Sequence, residues 1–547
     1  MLKHKFINST YNPIEFKAKT YIGSVLSQYI LFAMINILLI SVTLYIPIYL
    51  NTGIAQISSF QIDNLSSYFL PLGCLILGEY FLGLLNNDFN IRLSNRIAMQ
   101  IEFDILKYIK QSEFIELKRY NDAYLTQRIN NDAVSLGDFL IEKLPYFALN
   151  IISTCIIVPI LFALNMLLGF IGIAVIIAFF FIYMVIKKAY YRLNKNMLEA
   201  QSNFFSMISN VLYNLLSIKI NSWHKETDNL FSNTAYKFYE TSIKFLRIDF
   251  LQTRTVSFLG RIAYALSLFV LAYLAINSSN PLSVGGSLVA VIMYIGILLP
   301  ALEHISEFGS QYQKYRVSRD RINELYSIKS ESFGVTELSN IDSIKCSNVS
   351  LMIDNKVIYN DISIDFQKDR IYLISGNNGS GKTTFLLTLA GIYKPSSGYI
   401  LFNQIPFSDV DFIKLRKKHL SFVQQDAYFQ KGTIRYNLSL AGVCEEEIDS
   451  SALPLMDFTK NIPNGLEFII NSKNTTLSGG EKQRIMLTRG LLKSADITLF
   501  DEPSNALDEE SVRKFISEVN KKKKDHIIII VSHDVRFEEI ADEIIRF

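Results

Sequence analysis

The 547 residues are too many for one compact core, and at roughly one domain per 150 residues they allow several. Half of them are hydrophobic and the mean hydropathy is +0.22, with apolar runs crowded into the first part of the chain and charge and glycine-rich turns into the last part. A formal charge of +3 is too small to argue for nucleic acid, and no nucleic-acid partner is expected; Cys74, Cys155, Cys346 and Cys444 have neither metal-type nor CxxC spacing, which argues against a disulfide framework or a metal cluster.

The first segment, residues 1–20, carries Lys3, Lys5, Lys17 and Lys19 ahead of a long apolar run without a small-residue cleavage site. It is expected to be a cytoplasmic stretch before a retained first span, not a signal peptide, and too short for a leader-peptidase domain. A bilayer core of ~30 Å takes about 20 mostly apolar residues per helix. Six runs of that kind follow: Tyr21 to Leu50, Ser67 to Leu85, Leu144 to Leu164, Met166 to Ile186, Ile262 to Ile276 and Val284 to Leu302. The fifth is short, so its helix should extend backward through the more polar "RIDFLQTRTVSFLGR". Residues 21–325 are therefore expected to form an all-α six-helix transmembrane domain.

Orientation follows from Lys and Arg, which are retained in cytoplasmic loops. The connectors "NTGIAQISSFQIDNLSS", Asn165 and "NSSNPLS" contain none, whereas 86–143 and 187–261 contain many, including Arg92, Arg96, Lys118, Arg119, Arg128, Lys187, Lys188, Arg192 and Lys195. Both termini should lie in the cytoplasm, and the spans should run on as helices well beyond the bilayer. "YNDAYLTQRINNDA" (Tyr120 to Ala133) and "NVLYNLLSIKIN" (Asn210 to Asn221) sit where each helical hairpin is expected to turn, as solvated tips or as docking surfaces.

Charges near the spans carry separate meanings. Glu79 falls inside the second span, where a carboxylate costs on the order of 3 kcal/mol, so it should face a protein interior or a wet cavity, with a partner. Arg247, Arg254 and Arg261 recur every seven residues and form one stripe, either an ordinary cytoplasmic extension or the lining of a pathway for an anionic cargo. Glu303, His304 and Glu307 follow the sixth span and Pro300 as candidate partners of that stripe.

Residues 326–342 read as a linker, with the boundary near Ser330 to Asn340, and 343–547 as a soluble α/β domain. There "RIYLIS", "GNNGSGKTT" and "FLLTLAGIY" give strand, glycine loop and helix, the context a phosphate-binding loop requires. Gly376, Asn377, Asn378, Gly379, Ser380, Gly381, Lys382, Thr383 and Thr384 are the candidate phosphate site: glycines admit oxygens to backbone amides, Lys382 adds a cation, and the Thr383 hydroxyl suits Mg²⁺. "ITLFDEP" ends a second strand on Asp501, a candidate Mg²⁺ residue, and Glu502, placed to polarise a water. "HIIIIVSHD" delivers His533 at the end of a third, and α/β sheets bind ligands at such ends.

The ordered set "GNNGSGKTT", "VQQD", "LSGGEKQR", "ITLFDEP", "SNALD" and "VSHD" resembles the P-loop nucleotide-binding domain of an ABC transporter, and the six spans resemble a type I exporter half-transporter, similar to bacterial peptide and natural-product exporters. The resemblance implies ATP and Mg²⁺ as cofactors. It makes Gln425 the residue that senses the γ-phosphate and metal, Ser478, Gly479 and Gly480 the signature residues, Glu502 the catalytic carboxylate, Asp508 the D-loop aspartate and His533 the switch histidine. It also implies a homodimer closing head to tail over two nucleotides, coupling helices at Asn121 to Asn131 and Asn210 to Ile220, and an integral protein of the bacterial cytoplasmic membrane in contact with lipid.

Three features depart from the pattern. Ile353 stands where an aromatic residue normally stacks on adenine, and Tyr359 is out of register. Asn471 and Ser472 replace a Gly-Glu pair before the signature, and the chain stops 14 residues after His533. The expected activity is ATP-driven export of a peptide or amphipathic natural product by alternating access, with a lipid or lipid-linked glycan flippase or a broad multidrug exporter as alternatives.

Overall fold

A computed structural model describes residues 15–58, 66–120, 122–277, 283–425, 428–449, 453–470 and 477–547. Residues 1–14, and Asn471 and Ser472 with them, lie outside the described residues. The chain divides into two compact units, one of 1–112 and 116–329, the other of Glu113–Ile115 with Ser330–Phe547.

The first unit is helical: α1 (Ala18–Ser24), α2 (Leu26–Ser58), α3 (Ser66–Ile109), the single turn α4 (Phe114–Leu117), whose first two residues are counted with the second unit, α5 (Asp122–Asp138), α6 (Leu144–Leu164), α7 (Met166–Tyr213), α8 (Leu215–Ile220), α9 (His224–Ile276) and α10 (Ser283–Tyr326). Among the described residues, six helices are long and apolar enough to cross a membrane. The 48 residues of α7 would be about 72 Å long at 1.5 Å per residue, well beyond the ~30 Å of hydrocarbon. The surplus is the polar half of each long helix, and α9 reaches back through "RIDFLQTRTVSFLGR" as its short apolar run requires. Asn165 separates α6 from α7 because its side chain accepts from the Leu167 amide at 2.8 Å, capping the new helix.

Three local features differ from the sequence reading. The first span starts at Leu26: the helix breaks at Val25, while Tyr21 is buried among the polar extensions of the long helices. The first hairpin turns between α3 and α5, around α4, so most of Tyr120 to Ala133 is already the returning helix. That helix then widens into a π-turn at Phe139–Lys143. The adjoining Gly137 is forced by close approach, since a Cβ there would lie 2.8 Å from the Ser94 carbonyl oxygen. Beside it Ser94 Oγ donates to Asp138 at 2.5 Å, locking α5 to α3.

Polar side chains in the first unit are used pairwise. Thr43 Oγ1 of α2 donates to Glu79 Oε1 of α3 at 2.8 Å, giving the span carboxylate a partner. Tyr294 of α10 donates to the Leu44 carbonyl at 2.8 Å, and Gln252 of α9 to Ser306 of α10 at 3.0 Å.

The second unit opens with β1 (Ser343–Ile353), β2 (Lys356–Gln367) and β3 (Arg370–Ser375), followed by α11 (Lys382–Leu389), β4 (Ser397–Phe402), β5 (Ile405–Pro406), α12 (Phe412–Lys418) and β6 (Leu420–Val423). Then come β7 (Gly432–Thr433), α13 (Ile434–Ser439), β8 (Ile469–Ile470), α14 (Gly479–Leu492), β9 (Ile497–Asp501), α15 (Glu509–Lys522), β10 (Ile527–Val531) and β11 (Glu543–Arg546). An antiparallel sheet in the order β2-β1-β4-β5 packs near a parallel one in the order β11-β3-β10-β9-β6. β9 and β10 are buried at every position, as expected for strands covered on both faces, and their apolar runs show no alternation. That burial holds the carboxyl ends of β3, β9 and β10 side by side.

Candidate functional site

The loop after β3 is set by Gly381, which caps α11 with φ +94°; a Cβ there would sit 2.9 Å from the Ile358 carbonyl oxygen. Lys382 is buried, and its ammonium donates to the carbonyls of Gly376 at 2.7 Å and Asn377 at 3.0 Å. Its Nζ also lies 3.1 Å from His533 Nε2. An ammonium only donates, so Nε2 accepts and the imidazole carries its proton on Nδ1. In the same loop the Ser380 hydroxyl is buried without a hydrogen-bond partner among the described residues, while Asn377, Asn378 and Gly379 are exposed and Thr384 is half-buried.

Asp501 ends β9 with 2 % of its surface exposed. Burial pushes its carboxyl up from the usual range and the hydrogen bond from Thr383 Oγ1, at 3.1 Å, opposes that rise; Glu502 adds to it and Lys382 subtracts. A buried carboxylate beside a hydroxyl and a second carboxylate is a donor set that fits Mg²⁺. Glu502 takes φ +49° just after the strand, with its amide bonded to the Val531 carbonyl at 2.8 Å, and its Oε1 stands 3.7 Å from His533 Nε2. Lys382, Thr383, Asp501, Glu502 and His533 thus converge from three neighbouring strand ends.

Among the described residues, five other expected residues make no hydrogen bond to that cluster. Gln425 follows β6, is exposed, and makes no side-chain hydrogen bond among the described residues. Ser478 caps α14 reciprocally with Glu481: the Ser478 amide donates to the Glu481 carboxylate at 2.6 Å and the Glu481 amide to Ser478 Oγ at 3.3 Å. Gly479 and Gly480 open that helix, and a Cβ on Gly480 would lie 2.6 Å from the Ala506 carbonyl oxygen. Asp508 caps α15 by accepting from the Ser511 amide at 3.1 Å, and the Ser511 hydroxyl, with that amide second, holds its carboxyl below the usual range. Among the described residues no hydrogen bond or ion pair joins Ser478, Gly479, Gly480 or Asp508 to the loop 376–384.

Two residues escaped the sequence reading. Glu481 was visible as the S-x-x-E spacing of a capping box, and Gln483 donates from α14 to the Pro503 carbonyl at 3.3 Å, tying the signature helix to the turn after Glu502. Tyr359 is a core residue: it pairs with Leu351, and its hydroxyl lies 2.7 Å from Thr388 Oγ1. Ile353 is half-buried at the end of β1.

In the first unit, Arg247, Arg254 and Arg261 are exposed, with Arg254 over the Phe250 ring at 4.9 Å. None is ion-paired with Glu303 or Glu307, contrary to the suggested partnership. The buried face of α9 runs through Val256, Gly260, Ala263 and Ser267, and at 100° per residue the arginines point roughly 140° away from it.

Two family models match the chain: the ABC transporter transmembrane region over residues 29–302 and the ABC transporter domain over 359–505. A probable multidrug resistance ABC transporter ATP-binding/permease protein of Bacillus subtilis is 27% identical over 367 residues, 65% of this chain and 62% of that protein. An ATP-dependent lipid A-core flippase of Francisella tularensis is 25% identical over 371 residues, 66% of this chain and 61% of the flippase. A lactococcin-G-processing and transport ATP-binding protein of Lactococcus lactis is 27% identical over 389 residues, covering 69% and 54%. The matched stretch therefore spans 54–62% of these relatives' length. The structure of a bacterial Atm1-family ABC exporter with ATP bound has the same fold, with a TM-score of 0.81 over 96% of this chain and 94% of that one at 20% identity. With both models matched in one polypeptide, the chain belongs to the ABC transporter family, its transmembrane region fused to its nucleotide-binding domain.

Proposed function

We propose that the chain is an ATP-driven exporter that works as a homodimer in the bacterial cytoplasmic membrane, with its nucleotide domain in the cytoplasm. The observation that carries this reading is the convergence of Lys382, Thr383, Asp501, Glu502 and His533 on one edge of a sheet, in a chain that also has six apolar helices. Lys382 and the loop amides of Gly376 to Thr384 would hold the phosphates, and Thr383, Asp501 and Gln425 a Mg²⁺, which when bound neutralises charge between the outer phosphates. Glu502 would take a proton from the attacking water, and His533, beside Lys382 at the end of the neighbouring strand, would face the outer phosphate as the switch histidine. Ser478, Gly479, Gly480 and Asp508 would complete the site of the second subunit; their separation from the loop of their own chain supports that arrangement.

Transport follows if nucleotide favours the closed dimer over the open one and hydrolysis resets it. The cargo is a peptide or an amphipathic natural product. Relatives named for multidrug resistance, for a lipid flippase and for a bacteriocin keep a lipid or a drug as the competing cargo. The test is Glu502→Gln in purified protein in lipid membranes. Turnover should fall by on the order of 100-fold or more with ATP binding kept, as for loss of a general base. Hydrolysis at the parent rate would remove Glu502 from the role.

A further inference from the structure

The first unit holds a cavity of about 530 Å³ between α2, α6, α10 and the π-turn before α6. That volume suits a drug-sized ligand. Along α10 the lining runs from Ile297 through Pro300, Ala301 and His304 to Gln311, one helix face about 21 Å long at 1.5 Å per residue. The face changes character along its length. Beside Ile297 stand Leu39 and Ile40, at the depth where Tyr294 bonds to Leu44, inside the apolar part of the spans. Toward the cytoplasmic extension the wall becomes Glu142, Lys143, Glu307 and Gln311, and Phe147 stacks on Phe308 at 3.8 Å between centroids.

The charges in that polar end are unequal. Lys143 Nζ is already paired with Glu142 at 2.5 Å, so the two cancel. Glu307 is exposed, and its carboxylate has no hydrogen bond or ion pair among the described residues; Glu303 precedes it by one turn. With histidine counted neutral the lining carries one uncompensated negative charge. None of Arg247, Arg254 and Arg261 contributes to the wall, which removes the basis for an anionic ligand here.

We propose that this cavity binds an amphipathic cation, its apolar body against Leu39, Ile40 and Ile297 and its cationic head on Glu307. The inference rests on the export reading and names the cargo class for it. A neutral lipid tail would satisfy only one end of the cavity, and an anion would meet Glu307.

Binding is measured without nucleotide, on the full chain in lipid nanodiscs, with tritiated tetraphenylphosphonium and with tetraphenylborate, its anionic match in size and shape, as competitor. Tetraphenylphosphonium should bind saturably and tetraphenylborate should displace it poorly. Glu307→Gln should weaken the cation by about tenfold, the scale of one partly screened charge contact. Glu307→Asp should retain most of the affinity, and Glu307→Lys should reverse the preference. An apolar hexapeptide with a free N-terminus that displaces the probe, when its N-acetylated twin does not, would uphold the site with a peptide amine as the source of the cation. Displacement by ethidium but by neither peptide would uphold it with small lipophilic cations as the source. Equal affinities for the two tetraphenyl ions, no saturable binding, or an unchanged affinity in Glu307→Gln would overturn the proposal. Because nucleotide is absent, loss of ATP turnover in a separate assay would strike the export reading alone.

Discussion

The two units use polar residues in opposite ways. In the second, apolar strands carry chemistry only at their tips, so Lys382, Asp501, Glu502 and His533 gather at one edge of the sheet while β9 and β10 stay fully buried. In the first, polar side chains are scattered along helix faces and tie helices in pairs, as Thr43 does with Glu79 and Gln252 with Ser306. One arrangement concentrates function in a few side chains. The other spreads it over a surface, where single changes should have smaller effects.

The largest expected effect tests whether the concentrated site is shared between subunits. If the proposed dimer holds, Lys382→Ala and Ser478→Arg should each abolish turnover when every chain carries the change, leaving on the order of 1% or less, since each would remove a group from the proposed phosphate site. A mixed dimer of the two variants keeps one site with the intact Lys382 of one chain and the intact Ser478 of the other. Its ATPase rate should therefore recover measurably in a tandem-tagged preparation. No recovery would place both residues in one chain's own site.

A smaller effect probes the spread-out unit. Thr43→Val leaves the Glu79 carboxylate without its donor inside a span, which should lower stability by about 1.5–3 kcal/mol. Removing both groups, as Thr43→Val with Glu79→Leu, should restore most of that loss, because a polar group that is absent needs no partner. Unfolding midpoints in mixed micelles titrated with dodecyl sulfate give the comparison. An equal loss in the single and double variants would show that the pair contributes nothing beyond packing.

How far each unit could be read from sequence follows the same division. Motifs such as "GNNGSGKTT" and "ITLFDEP" set strand, turn and helix within a few residues, so Thr383 and Asp501 were identifiable although 118 positions separate them. The spans were legible by the length of their apolar runs, including Asn165 as a complete connector. Their faces were not. The π-turn at Phe139–Lys143 comes from α5 fitting against α3 at Gly137 and Ser94, a tertiary contact with no local signal. Likewise the arginine stripe had the right period, but which side of α9 it occupies depends on where Val256 and Gly260 pack.

The mildest prediction concerns Ile353, where the second unit departs from its family pattern. Tyr359 is fixed in the core by Thr388 and Phe385, so it is not free to cover a base, and Ile353 at the end of β1 offers an aliphatic surface. A branched aliphatic side chain contacts a purine without the stacking that an aromatic ring adds. The parent protein should accordingly hydrolyse ATP and GTP with KM values within a few-fold of each other, and Ile353→Tyr should lower the KM for ATP by roughly three- to tenfold, as base stacking is worth on the order of 1 kcal/mol or more. Turnover at saturation should hold steady, since the residue touches no phosphate. Steady-state kinetics with both nucleotides decide it: a parent that already prefers ATP by more than the substitution can add would mean that the base is held by residues other than β1. The division between the units would then sharpen, because even in the second unit base recognition, unlike phosphate chemistry, would be distributed over a surface that no motif marks.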